Sequence, residues 1–235
     1  MRTMKICVSI AEIDSKELRK SATRAFDRGA SFLEIRFDYI STNRLAEALV
    51  AVRPFRARCI YTLRKTNQGG KFDGSEIQRL SCLKEIASQR PMMIDVEYET
   101  LQESPEIGSF IKSLNIPILL SWHDFRTTPS SKELSEMLGS MSSYTNNNKL
   151  ITMADSIEDT LRVLKLYETV NKSVNLVAFC MGEIGSISRV LCALQSNCPF
   201  TYASVDRPVA PGQLTIEQMK KLYSMIISGS SHAGG

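Results

Sequence analysis

Short apolar runs and longer amphipathic stretches alternate along the chain. Eight of the short runs have the strand-forming residues and the length expected of buried β-strands. The stretches between them repeat their apolar residues with a helical period, which predicts a helix after each strand. The predicted strands cover residues 5–10, 32–36, 59–63, 92–96, 116–121, 149–153, 176–180 and 200–203.

Several amphipathic stretches open with a residue that can cap a helix. Asp14 or Ser15, Ser75, Ser156 and Thr215 stand at such positions. Eight strand–helix units in 235 residues predict a single-domain α/β fold, a (β/α)8 TIM barrel over residues 1–228. An open, doubly wound sheet is the alternative, but no glycine-rich nucleotide motif follows a strand. The small, polar residues 229–235 predict a flexible C-terminal tail.

Composition excludes several functional classes. The net charge of +4 is spread along the chain, which argues against nucleic acid and membrane partners and favours small anionic substrates. The six cysteines form no C-x-x-C pair and there are only two histidines, so we expect free core thiols and no metal site. No apolar run reaches the roughly 18 residues of a membrane span. We therefore expect a cytoplasmic protein.

Polar residues gather where the predicted strands end, and barrel active sites are built there. Glu34, Arg36 and Asp38 alternate onto one face of strand two, the face turned to the barrel interior. A structural ion-pair layer is the alternative explanation for these three. Later strands and the helix after strand seven add Arg64, Asp95, Glu97, His123, Lys149, Met181 and Arg189. By spacing alone, His123 fits a structural residue at least as well as a base, and Met181 fits the core better than a site.

Lys149 heads the apolar run 150–154, where an amine either reaches back to water or is used chemically. Inside a barrel, desolvation and nearby arginines would favour the neutral, nucleophilic amine. A ketone bound as an imine on Lys149 could lose an α-proton to His123. Arg36, Arg64 and Arg189 suit the binding of a carboxylate and hydroxyls. These residues predict a cofactor-free Schiff-base enzyme for a small keto acid.

Other functions are compatible with parts of this pattern. A class I aldolase would share the barrel and the lysine, but usually acts on phosphorylated sugars, and no phosphate-binding glycine pair follows strand seven or eight. A non-catalytic metabolite-sensing barrel would keep the arginines while losing Lys149 or His123. A purely structural barrel leaves the cluster at the strand ends unexplained.

Six motifs, in order, resemble the type I 3-dehydroquinate dehydratases of the shikimate pathway. They are LEIRFD, YTLR, SWHDF, KLITMA, CMGEIGSISR and APGQ. The resemblance implies dehydration of 3-dehydroquinate to 3-dehydroshikimate by syn elimination, for aromatic amino-acid biosynthesis. It also implies a homodimer without metal or nucleotide cofactor.

The same resemblance implies a role for each matching residue. Lys149 would form the imine, and His123 would take the C2 proton and return a proton to the departing C1 hydroxyl. Arg189 and Gln213 would contact the substrate carboxylate. The ring hydroxyls would face Glu34, Arg36 and Arg64, and the pocket walls would be Met181 and Tyr202.

Two glycine-bearing loops, 65–74 and 206–213, are expected to form lids that exclude water, although Gly69, Gly70 and Gly74 would also relieve turn strain. Gln68 is expected to hydrogen-bond His123. Val209 replaces a small or hydroxyl residue of the family, which leaves its backbone N–H for the carboxylate. The triplet 146–148, all asparagine, favours a turn locally, and we expect strand pairing to override it. The residues expected to support the site or its lids are Asp38, Gln68, Val209 and Ala210.

Overall fold

A computed structural model describes residues 4–206 and 208–230, which contain one sheet of eight parallel strands. The strands lie side by side in chain order, and β1 also pairs with β8, so the sheet curls into a nearly closed barrel. The (β/α)8 prediction is confirmed, because a doubly wound sheet would reverse its strand order. The strands are β1 (Ile6–Ile10), β2 (Phe32–Arg36), β3 (Cys59–Thr62), β4 (Met93–Glu97), β5 (Ile118–His123), β6 (Asn147–Met153), β7 (Asn175–Met181) and β8 (Thr201–Ala203).

Helices follow the strands around the barrel. The predicted helix starts are confirmed: Asp14 rather than Ser15 caps the first helix, accepting hydrogen bonds from two backbone N–H groups. Ser75, Ser156 and Thr215 each exchange hydrogen bonds with a residue three positions on. The helices are α1 (Ser15–Asp27), α2 (Leu45–Val52), α3 (Glu76–Ser88), α4 (Tyr98–Glu103), α5 (Pro105–Ser113), α6 (Ser131–Ser142), α7 (Ile157–Leu164), α8 (Leu166–Thr169), α9 (Gly182–Gly185), α10 (Ser188–Leu191) and α11 (Ile216–Ser230).

Two strand boundaries differ from the predicted ones in a way that affects the site. Strand β5 continues two residues further than predicted and ends at His123. Strand β6 begins at Asn147, because Asn147 and Asn148 pair with β7 and Asn148 also pairs with β5. Ladder bonds on both sides thus override the turn preference of the asparagines, as expected. Lys149 is consequently the third residue of a regular strand.

The remaining sequence predictions concern cysteines, membrane helices and the tail. All six cysteines are buried and none of them is in a disulfide with another described residue, as predicted. Within residues 4–206 and 208–230, no helix has the length and apolarity needed to cross a membrane. Helix α11 continues through residues 229 and 230, and residues 231–235 of the predicted tail lie outside the described residues.

Candidate active site

A cavity of about 250 Å³ opens at the C-terminal ends of the strands. The loops that follow β3 and β8 contribute part of its lining. With the exception of Asp38, Asp95 and Glu97, every residue predicted for the site lines it, and so do Ser9, Gly69, Phe125, Ile151, Phe179 and Pro211. The predicted residues in the lining are Glu34, Arg36, Arg64, Gln68, His123, Lys149, Met181, Arg189, Tyr202, Val209, Ala210 and Gln213.

Lys149 lies buried between two carboxylates. Its Nζ is 3.1 Å from Oε1 of Glu34 and 3.1 Å from Oδ2 of Asp95, and it stands 4.5 Å from the ring centroid of Tyr202. Arginines were the neighbours expected for this amine from the sequence. The structure instead pairs it with acids, because Glu34 and Asp95 project into the barrel interior from β2 and β4.

Both carboxylates remain charged in spite of their burial. Burial alone would raise the pKa of Glu34, but Lys149 and Arg36 outweigh it and hold the pKa below its usual value. Burial likewise opposes the charge of Asp95, and Arg64 together with Lys149 lowers its pKa. The interior of the barrel is therefore a network of mutually compensating charges.

Asp95 connects Lys149 to Arg64, and no such role was predicted for it from the sequence. Its Oδ1 accepts hydrogen bonds from Nη2 of Arg64 at 2.6 Å and from Oγ of Ser121 at 2.7 Å, while its Oδ2 faces Lys149. The signal was present in the sequence, since Asp95 and Glu97 alternate along β4 as Glu34 and Arg36 do along β2. Asp95 therefore holds Arg64 and Lys149 in fixed relation to each other.

Asp38 supports the site from outside the cavity. The strand ends at Arg36, and Asp38 lies in a 3₁₀ turn, so the predicted alternation of Glu34, Arg36 and Asp38 on one strand face does not extend to Asp38. Its carboxylate accepts two hydrogen bonds from Arg36, at 2.8 and 2.7 Å, and one from the backbone N–H of Lys71 at 3.0 Å. Asp38 thus orients the Arg36 guanidinium and anchors the loop after β3.

His123 ends β5 with its imidazole against the cavity. The ring stacks on Phe125, with centroids 5.6 Å apart and planes 13° apart. Nδ1 of His123 and Oε1 of Gln68 have no hydrogen-bond partner among the described residues, so the predicted bond from Gln68 is not made at Nδ1. Burial lowers the pKa of His123 well below 6.5, and the nearby cations Arg64, Lys149 and Arg36 lower it further. The ring is therefore neutral at neutral pH.

Arg189 differs from the other cations of the cavity. Its side chain is buried, and no carboxylate pairs with it within the part of the chain that the structure describes. Nη2 donates to the carbonyl of Pro211 at 3.1 Å, Nε has no partner, and the guanidinium lies 4.2 Å from the ring centroid of Phe179. Burial lowers the pKa of Arg189 to about 10, so the group is charged at neutral pH. A buried, uncompensated guanidinium is a receptor for an anion.

The two loops that line the cavity are held by different contacts. The backbone N–H of Val209, expected to face a carboxylate, donates instead to Oε1 of Gln213 at 2.7 Å. In the loop after β3, Gly69 has φ of +72°, and a side chain at Gly70 would overlap the carbonyl of Arg64. These glycines have structural reasons to be glycine, since one needs left-handed backbone and the other packs directly on the chain at Arg64.

Fold and cavity together define the class of protein: an enzyme on a (β/α)8 barrel, with its ionisable side chains at the C-terminal ends of the strands. Residues 6–230 match the family model described as type I 3-dehydroquinase. The chain belongs to that family.

Individual relatives agree with this assignment. A 3-dehydroquinate dehydratase from Dehalococcoides mccartyi is 34% identical over 232 residues, covering 96% of this chain and 97% of the relative. One from Thermococcus gammatolerans is 34% identical over 213 residues, covering 90% and 95%. The crystal structure of 3-dehydroquinate dehydratase from Geobacillus kaustophilus superposes with a TM-score of 0.88 at 20% identity, covering 96% and 92% of the two chains.

Proposed function

We propose that this enzyme dehydrates 3-dehydroquinate to 3-dehydroshikimate in the shikimate pathway, by syn elimination through a Schiff base on Lys149. The observation that carries the proposal is the shared cavity: a buried lysine, a neutral histidine and an arginine with no carboxylate partner among the described residues line the same 250 Å³ space. That combination suits a small keto acid, whose carboxylate needs a cation and whose ketone needs an amine. Membership of the type I 3-dehydroquinase family supports the same reaction.

The first step in this proposal is imine formation. Lys149 gives up a proton and its lone pair attacks the substrate ketone to form a carbinolamine. The proton then returns to the carbinolamine hydroxyl, which leaves as water and gives the protonated imine. The proton has acceptors at hand, because Glu34 and Asp95 lie 3.1 Å from the amine. The positive imine then draws electron density from the neighbouring carbon and makes the C2 proton acidic.

His123 performs the elimination in this proposal. Its neutral ring takes the C2 proton, which converts the imine to an enamine, and then returns a proton to the C1 hydroxyl as that group leaves as water. Hydrolysis of the resulting conjugated imine releases 3-dehydroshikimate and restores Lys149. The lowered pKa of His123 supports this role, because a general base must be unprotonated when substrate arrives.

Substrate orientation follows from the remaining side chains. We assign the carboxylate to Arg189 and Gln213, and the ring hydroxyls to Glu34, Arg36 and Arg64. The walls are apolar or aromatic, from Met181 and Tyr202. Since the Val209 N–H is held by Gln213, it reaches a bound carboxylate only after the loop rearranges.

A steady-state assay tests the proposal. Purified protein with 3-dehydroquinate should produce the near-ultraviolet absorption of the conjugated enone product, whereas phosphorylated sugars should remain uncleaved. Sugar cleavage without dehydration would favour the aldolase. Binding of 3-dehydroquinate without turnover would favour the metabolite sensor.

Two further properties are proposed from the family resemblance. We propose that the enzyme is a homodimer and acts in the cytoplasm on a small-molecule substrate. Light scattering coupled to size-exclusion chromatography should give twice the chain mass of 26.3 kDa. A monomer mass would contradict the dimer.

A further inference from the structure

The orientation of His123 raises a question about the proposed base. A catalytic imidazole is commonly held by a hydrogen bond from its second nitrogen to a carboxylate or carbonyl. Within residues 4–206 and 208–230, Nδ1 of His123 has no such partner. The contacts of the ring with neighbouring side chains are therefore the candidates for fixing its plane.

Phe125, two residues beyond the end of β5, makes an offset stacking contact with the imidazole. The two rings are nearly parallel, at 13°, with centroids 5.6 Å apart. Phe125 also lines the cavity, and 38% of the residue is exposed. Phe125 keeps 38% of its surface open to water although it stacks on the proposed catalytic base, so core packing alone does not explain its position.

The loop after β3 backs the Phe125 ring. A Cβ built at Gly69 would lie 2.5 Å from Cζ and 2.7 Å from Cε1 of Phe125, so the loop backbone presses directly on the ring. The carbonyl of Gly69 lies 3.5 Å from Nη2 of Arg36. The loop backbone thus packs against Phe125, and Phe125 stacks on His123. The same loop backbone is close to Arg36, which lines the cavity.

We propose that Phe125 is a positioning residue for the base: its ring fixes the plane of the His123 imidazole for proton transfer and shields that ring from water. This inference rests on the proposed function, because it requires His123 to be the base. Phe125 belongs to the SWHDF motif, but the family resemblance assigned it no role. The proposal also gives the loop at Gly69 a role, because that loop holds Phe125 against His123.

The charges around His123 set the direction of the pH effect. Arg36 from β2, Arg64 after β3 and Lys149 from β6 face the imidazole, and burial acts in the same direction as these cations. Loss of the Phe125 ring would admit water and weaken the contribution of burial, while the three cations remain. Loss of the ring should therefore raise the pKa of His123 toward 6.5 without passing it. In a plot of kcat/KM against pH, the fall in rate on the acid side should move upward in pH by the same amount.

Kinetics of Phe125 variants test the proposal. Phe125→Ala should lower kcat by about 10- to 100-fold, the scale of a misplaced catalytic group, and change KM by less than about 3-fold. Phe125→Leu keeps apolar cover without a flat face, so it should lose kcat with a smaller shift of the acid limb. Phe125→Tyr should restore most of kcat. All three should still be labelled on Lys149 by borohydride with substrate present.

Leu194→Ala is the matched control, because Leu194 is also 38% exposed but does not line the cavity. It should keep the kcat and the acid limb of the unchanged protein. The inference would be overturned if Phe125→Ala had the same kcat and the same acid limb as the unsubstituted protein. A rise in KM with unchanged kcat would also overturn it, because Phe125 would then be a substrate contact. If the unsubstituted protein neither dehydrates 3-dehydroquinate nor is labelled by borohydride with substrate present, the proposed function is overturned, and this inference with it.

Discussion

Arg189 offers the sharpest quantitative prediction about substrate binding. Its guanidinium is buried over Phe179 and, among the described residues, has no carboxylate partner. Burial lowers its pKa to about 10, and at 1.36 kcal/mol per pKa unit this corresponds to about 3 kcal/mol of unfavourable burial of the charge. A substrate carboxylate would offset that cost on binding, so Arg189→Ala should lose a comparable contribution.

Truncation of a buried, charge-assisted contact costs about 2 to 4 kcal/mol. The cost of burying the Arg189 charge, about 3 kcal/mol, lies within this range. At 25 °C this corresponds to a rise in KM of roughly 30- to 900-fold. The KM of Arg189→Lys should lie between that of the unsubstituted protein and that of Arg189→Ala, because lysine keeps the charge without the planar fork of donors. The melting temperature should change little, since the variant also removes an unpaired buried cation. Initial rates over a range of 3-dehydroquinate concentrations and a thermal melt provide both measurements.

Arg53→Ala is the control for net charge, because Arg53 is exposed in the turn that precedes β3, at the other end of that strand. It should leave KM unchanged. An unchanged KM in Arg189→Ala would refute the assignment of Arg189 to the carboxylate. A large drop in melting temperature with normal KM would give Arg189 a structural role instead, through Pro211.

Two other expectations concern the loop after β8 and the base. Gln213→Ala should raise KM by roughly 2- to 10-fold, the scale of one lost hydrogen bond. Its melting temperature should be unchanged, because Gln213 lies in a loop at the cavity mouth. A lower melting temperature with normal kinetics would make the loop purely structural. The acid limb of kcat/KM should lie below pH 6.5, because the folded-state pKa of His123 is lowered and the base stays neutral until the pH falls through that value. A limb at or above pH 6.5 that persists in His123→Ala would assign the titration to another group.

The barrel could be predicted because its signals are local and repeated. Each strand is a short apolar run, and Asp14, Ser75, Ser156 and Thr215 all cap helices as their side chains favour. Strand ends were less certain, since pairing with neighbouring strands decides them. Pairing extends β6 back to Asn147 and β5 forward to His123.

The cavity lining could be predicted, but its charge pairing could not. Residues at the strand ends of a barrel must converge, so Lys149, His123 and Arg189 were expected in one place. Which acid meets which base depends on distances across the barrel, and these have no counterpart in sequence spacing. Asp95 therefore emerged as the partner of Lys149 only in three dimensions.

Loop contacts were the hardest to predict. The hydrogen bond from Val209 to Gln213 and the stacking of Phe125 on His123 depend on backbone paths that short motifs do not encode. Asp38 shows the same limit, because a 3₁₀ turn after Arg36 carries it out of the alternating pattern of the strand.

Covalent trapping tests the central claim most directly. Borohydride reduction in the presence of 3-dehydroquinate should attach the ligand to the protein, inactivate it, and place the adduct on Lys149 by peptide mapping. Lys149→Met should take no label and lose nearly all activity, because within residues 4–206 and 208–230 Lys149 is the amine that pairs with both Glu34 and Asp95 and could supply the electron sink. His123→Ala should still be labelled while elimination slows by about 10²- to 10⁴-fold or more. Label on a different lysine, or full activity in Lys149→Met, would contradict the Schiff-base mechanism.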